Sequence, residues 1–190
     1  MKLFIRSIFA ALYLFCTTYS CQLQRHWLQT PLLRSEKTTT PLAETFEKSK
    51  PVALIFLDSE CPICQKYTKN IREFAVKYPQ VQWIGVFTRW HSFQQITDFG
   101  VTYNLNIPMF LDARNRLVCK LGVKVTPEVV FAATDGHILY QGAIDNWFFG
   151  LGKHRPTSTE NYLTDAIEAW SRGEAPKISR TTPIGCVIEQ

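Results

Sequence analysis

Cys61 and Cys64 stand three positions apart, directly after a run of apolar residues and at the start of a stretch with helical spacing. Thiols this close do one of two things: they exchange two electrons between dithiol and disulfide, or they ligate a metal. Placement favours the first. Residues 52–57 (Val-Ala-Leu-Ile-Phe-Leu) are uninterrupted in their apolar character, the pattern of a strand buried on both faces. Between residues 61 and 78, Ile63, Tyr67, Ile71, Phe74, Ala75 and Tyr78 recur every three or four positions and form one face of a helix. Cys61 therefore falls at a helix N-terminus, where free N–H groups and the macrodipole favour a thiolate, and Pro62 at the first helical position gives up no hydrogen bond. Cys61 is the expected nucleophile, exposed and reactive. Cys64, one turn on and more enclosed, is expected to attack a mixed disulfide on Cys61 and release the substrate. The adjacent Glu60 opposes thiolate formation. Asp58 has two readings, a partly buried carboxylate that relays the proton of Cys64 or a helix cap.

These residues need a frame. After the helix at 61–78, residues 81–87 read as a strand, 91–104 as a helix, 108–111 as a short strand and 113–121 as a helix. Residues 129–133 and 137–141 flank Thr134-Asp135-Gly136, a strong hairpin signal, and a last helix covers 158–171. Residues 43–50 suit a short helix. The alternation predicts an α/β domain with a central mixed β-sheet flanked by helices.

Composition narrows the function classes. The chain has 190 residues, 46% of them hydrophobic, which fits one domain and excludes a mainly disordered chain. Its formal charge is +5 and includes Lys2 and Arg6, with no dense basic run beside aromatic residues, so no nucleic-acid partner is expected. Six cysteines are too few for a disulfide-built scaffold.

Lys2 and Arg6 precede the uncharged run from Ile8 to Cys16, which is shorter than the roughly 20 residues needed to span a bilayer. Residues 1–20 read as a signal peptide. Thr18-Tyr19-Ser20-Cys21 resembles the lipobox of bacterial lipoproteins and makes Cys21 the expected lipidation site. Residues 21–42 then form a tether, and residues 43–190 the domain, with a C-terminal tail at 173–190. The expected location is the bacterial cell envelope, on the periplasmic side and anchored by lipid, where a cysteine pair persists as a disulfide.

The Cys-Pro-Ile-Cys at a helix start, followed by Val123-Lys124-Val125-Thr126-Pro127 before a hairpin, resembles the thioredoxin-like superfamily. The stretch from Tyr140 to Asn146 and the terminal Gly185-Cys186-Val187-Ile188 are similar to exported redoxins of its alkyl hydroperoxide reductase/thiol-specific antioxidant branch. The resemblance implies a cis Pro127 beside the cysteine pair, with Thr126 and Pro127 binding a substrate strand. It implies an oxidoreductase that exchanges a Cys61–Cys64 dithiol/disulfide with protein thiols and disulfides, served by an upstream redox partner and needing no dissociable cofactor.

Peroxide-reducing members of the branch carry Pro-x-x-x-Thr/Ser-x-x-Cys, whereas Leu54 and Asp58 occupy those places here, so peroxidase activity is not expected. Gln65 stands where covalent haem attachment needs His. The alternatives on the same fold are an envelope module that binds or delivers copper, with His137 as a distant candidate ligand, and a non-catalytic lipoprotein with a structural disulfide. A zinc site is not expected, because Cys119 and Cys186 are single. Cys119 is expected near the surface and inert. Cys186 has three open readings: a bond to Cys119, a third redox thiol near Cys61, or a buried reduced thiol. Glu128 either contacts substrate or begins an exposed strand, and His91 is a helix-start residue or a proton donor.

Overall fold

The computed structural model describes residues 26–35, 38–45, 47 and 49–189. The expected signal peptide (residues 1–20) and the expected lipidation site Cys21 lie outside the described residues. In chain order the strands and helices are β1 (Pro31–Ser35), β2 (Thr38–Pro41), β3 (Val52–Leu57), α1 (Pro62–Lys77), β4 (Gln82–Thr88), α2 (Phe93–Thr102), β5 (Met109–Asp112) and α3 (Arg116–Leu121). They continue with β6 (Val125–Thr126), β7 (Glu128–Ala132), β8 (Ile138–Gly142), β9 (Phe148–Gly150), β10 (Lys153–His154), α4 (Tyr162–Ser171) and β11 (Cys186–Val187).

Among the described residues the main sheet has seven strands in the order β2-β1-β5-β4-β3-β7-β8. β3, β4 and β5 are mutually parallel neighbours, while β7 and β8 continue antiparallel on one side and β1 and β2 on the other. The sheet is mixed and flanked by helices. β3 lies inside it with all six residues buried, which is why its sequence does not alternate. Ala53, Ile55 and Leu57 point to the face covered by α1, α2 and α4; Val52, Leu54 and Phe56 point to the face covered by α3.

That second face corrects the expected tether. Among the described residues the α-helix over it is α3, which has only six residues and leaves apolar surface to be covered. Trp27, Leu32 and Leu42 supply the cover: all three are buried in the same cluster as Leu117 and Val118, and β1 pairs with β5 to extend the sheet, with β2 outside it. Residues 26–35 and 38–42 therefore pack as part of the folded domain. Where a helix is expected at 43–50, the described residues form a single 3₁₀ turn at Leu42–Glu44.

Candidate active site

β3 delivers the chain to the turn Asp58-Ser59-Glu60, and Cys61 follows as the N-cap of α1 with Pro62 at its first position. The Cys61 backbone is extended (φ −75°, ψ 113°), and its carbonyl accepts from Gln65 N–H at 3.0 Å. Two expectations change here. Cys61 is only 2% exposed, and its disulfide partner is Cys186, with the Cα atoms 6.0 Å apart. Cys64 is a free, buried thiol, and Cys119 is free and exposed.

The cause is the C-terminal tail. β11 pairs antiparallel with β6, placing Cys186 opposite Thr126 and Val187 opposite Val125. This lays the tail over the start of α1 and covers Cys61. The Thr126–Pro127 peptide bond is cis, and the Thr126 carbonyl oxygen lies 3.3 Å from Cys61 Sγ. One short backbone segment thus lies against the Cys61 sulfur and pairs with the strand that carries Cys186.

Burial pushes the Cys64 thiol up to about 12; the nearby Asp58 charge adds to the rise, and hydrogen bonding from the Asp58 and Thr126 side opposes it. Asp58 itself is held below its ordinary 3.8 by hydrogen bonding with His91, against the opposing effect of partial burial. His91 is buried and stands before Ser92, which caps α2 with a reciprocal Ser92–Gln95 box. Its Nε2 accepts from Ser59 N–H at 3.1 Å and lies 3.3 Å from Asp58 Oδ1, while Nδ1 is 3.2 Å from the Thr88 carbonyl oxygen. A ring whose Nε2 accepts from Ser59 carries its proton on Nδ1, facing the Thr88 carbonyl oxygen. His91 therefore fixes the turn that presents Cys61.

Glu128 fits neither of its readings. It is buried at the start of β7, where Oε1 accepts from Gln141 Nε2 at 2.8 Å and Oε2 from Lys124 N–H at 3.3 Å. Trp83 and Phe87 are buried, and Trp90 is on the rim, 59% exposed. Sequence reasoning missed the residues that hold the tail. Ile188 is buried and its N–H donates to the Lys124 carbonyl at 2.9 Å; Trp90 Nε1 and Asn115 Nδ2 each donate to the Glu189 carbonyl at 3.3 Å. Gly185 packs so closely that a Cβ there would overlap the Thr126 carbonyl. Alternation in Cys186-Val187-Ile188 was the available signal, since it suits a strand with one buried side.

Among the described residues no three His, Cys, Asp or Glu side chains come together as a metal site. His137 is exposed in the β7–β8 turn, beyond the Val52–Ala132 pairing and hence at the end of β3 opposite Cys61. A copper site combining it with the cysteines has no geometric basis.

The fold is thioredoxin-like. A hypothetical protein from Sinorhizobium meliloti superposes with a TM-score of 0.68 at 19% identity, covering 83% of this chain and 88% of its own. A secreted Mycobacterium tuberculosis disulfide oxidoreductase homologous to E. coli DsbE gives 0.56 at 23% identity, covering 75% and 97%. In sequence, the soluble secreted antigen MPT53 of Mycobacterium tuberculosis is 29% identical over 89 residues, 47% of this chain and 51% of the antigen. The chain thus spans about half the length of the curated relatives it matches. Residues 25–141, the larger part of the chain and the part that contains β3, Cys61, Cys64, Thr126 and Pro127, match the AhpC/TSA family, and the chain belongs to it.

Proposed function

We propose that this chain is an exported thiol–disulfide oxidoreductase whose nucleophile is Cys61. The observation that carries the reading is the disulfide at the N-terminus of α1, with Cys64 as a third thiol in the same helical turn. A thiolate on Cys61 attacks one sulfur of a substrate disulfide, and the other substrate sulfur leaves as a thiolate and takes a proton from water. A second protein thiol then attacks the Cys61 sulfur and frees the substrate, and the reverse sequence oxidises a dithiol. Protein thiols and disulfides are the proposed substrates, with an upstream redox partner resetting the cysteines. A relative described as a secreted disulfide oxidoreductase and another described as a secreted antigen support this reading. The test is the rate of disulfide exchange with a protein substrate in the wild type and in Cys61→Ser.

The proposed location is the periplasmic side of the cell envelope, held by a lipid on Cys21. Among the described residues no helix is long and apolar enough to cross a membrane, and stable anchoring takes two lipid signals. Detergent partition after expression in a Gram-negative host tests this. Wild type is expected in the detergent phase and Cys21→Ala in the aqueous phase; a Cys21→Ala form that stays with membranes overturns it.

The burial of Cys61 favours one second reading, in which the disulfide is a permanent staple. Its mark is a reduction potential below about −300 mV, whereas exchange proteins fall between about −270 and −120 mV.

A further inference from the structure

The last residues of the chain sit on the domain as a bound peptide would. Cys186 and Val187 add a strand to β6, whose partner among the described strands is β11. Cys186 is bonded to Cys61, Val187 is 78% exposed and Ile188 is buried in the cluster that contains Phe56, Val118 and Val123. This is a one-sided strand anchored two positions after its cysteine. The position before the cysteine is equally restricted. Gly185 lies against the Thr126 carbonyl and the Pro127 nitrogen, and any side chain there must displace backbone. The segment meets the domain through one covalent bond, one strand ladder, one apolar pocket and the Glu189 carbonyl held by Trp90 and Asn115.

We propose that this tail is a built-in occupant of the strand edge beside Cys61, that Cys186 is the thiol that closes the disulfide on Cys61, and that protein substrates reach Cys61 by replacing the tail with an extended segment bearing glycine before its reactive cysteine and an apolar residue two positions after it. The proposal rests on the exchange reading above and adds to it the form of the substrate and the means of its release. In the reductive direction the tail of the dithiol form leaves β6 and the substrate segment pairs there. The Cys61 thiolate attacks the substrate disulfide R–S–S–R′, forming Cys61–S–S–R and releasing R′S⁻, which is protonated by water. The tail then competes for β6, and as it returns the Cys186 thiolate attacks the Cys61 sulfur; the Cys61–Cys186 bond forms and RS⁻ leaves, again protonated. Two electrons and two protons pass from Cys61 and Cys186 to the substrate. A dithiol protein restores the starting state by the reverse exchange. Cys64 is the poorer candidate for the closing step, since its buried thiol is pushed up to about 12 while Cys186 is half-buried on a segment held at its ends.

The test uses the full chain and two peptide probes: a copy of residues 182–189 whose cysteine is disulfide-linked to thionitrobenzoate, and the same peptide with alanine in place of its glycine. Reduced Cys186→Ser and Cys186→Ser/Gly185→Val proteins are each mixed with both peptides and with the small symmetric thionitrobenzoate disulfide. The glycine peptide is expected to react at least about tenfold faster than the alanine peptide in both proteins, because a methyl at that place forces backbone apart. Gly185→Val, which drives the protein's own tail from β6, is expected to speed all three reactions about tenfold by uncovering Cys61. Ile188→Ser in the Cys186→Ser background, which weakens the anchor without crowding the active site, is expected to act in the same direction. Equal rates for the two peptides, or no acceleration by either tail variant, overturns the proposal while exchange at Cys61 stands. Peptide mapping of the oxidised wild type adds an independent check: a Cys61–Cys186 link is expected, and a Cys61–Cys64 link with Cys186 reduced removes Cys186 from the mechanism. If the small disulfide also fails to react at Cys61, the exchange reading itself falls.

Discussion

Cys61 and Cys186 are 125 residues apart in the chain and joined by a disulfide, with Cys186 standing opposite Thr126 in the β6–β11 ladder. The bond and the ladder constrain the same segment. A peptide strand is therefore held against the cis Thr126–Pro127 segment while its sulfur is bonded to the residue that caps α1. In this state Cys186 and Val187 occupy the β6 edge at which the proposed substrate segment would pair.

The buried Cys64 thiol makes a prediction for alkaline stability. The fold accepts its neutral form, so its contribution is complete below the ordinary value of 9.0 and is lost as pH rises from there toward about 12. Wild type should lose more of its urea resistance between about pH 8 and pH 11 than Cys64→Ala, which has no thiol to ionise. Comparing unfolding midpoints at the two pH values checks this. An equal loss in both proteins would mean that Cys64 ionises as easily folded as unfolded.

The Asp58 charge is one of the causes that raise Cys64. Asp58→Asn removes the charge and keeps the shape, so the midpoint for Cys64 alkylation should move to lower pH, while burial still holds it above the ordinary 9.0. Iodoacetamide labelling across pH, read by mass spectrometry, measures the Cys64 midpoint in wild type and variant. Because Asp58 is held below 3.8, its own stabilising contribution is present above that pH and is lost below it, and Asp58→Asn should flatten the acid limb of the stability curve.

The fold was readable where local pattern and tertiary role coincide. The unbroken apolar run of β3, the 3.6-residue period of α1 and the Asp135-Gly136 turn each declared their element without help from the rest of the chain. Residues 26–42 did not, because Trp27, Leu32 and Leu42 are spaced too widely for a period and gain their burial only from the surface that α3 leaves open. At the site, the position of Cys61 at the start of α1 and the cis Thr126–Pro127 bond beside it were readable. The pairing of Cys186 was not, because it depends on where the tail lands; Gly185 declares itself only once the Thr126 carbonyl is beside it. His91 was hidden for the same reason, its partners Ser59 and Asp58 lying more than thirty residues away.

The folded role of the N-terminal hairpin region has its own consequence. Trp27 is 4% exposed and its Nε1–H donates to the Gly136 carbonyl at 3.2 Å. Trp27→Ala should cost about 3–5 kcal/mol of unfolding free energy. Chemical denaturation measures it, and an unchanged midpoint would return residues 26–42 to the status of a tether.

Leu54 is wholly buried in β3 and Asp58 is turned to His91, so neither offers a hydroxyl or a proline to a peroxide at Cys61. Hydrogen peroxide consumption by the reduced protein should match that of an ordinary protein thiol. A peroxide rate constant orders of magnitude above that of a free thiol would contradict the assignment.

The most direct measurement is the turnover of a protein disulfide by the reduced full chain, with Cys61→Ser, Cys64→Ser and Cys186→Ser beside the wild type. The account predicts that Cys61→Ser falls to the uncatalysed rate, that Cys186→Ser accumulates a mixed disulfide on Cys61, and that Cys64→Ser retains most of its activity. Undiminished turnover in Cys61→Ser would contradict it at its centre.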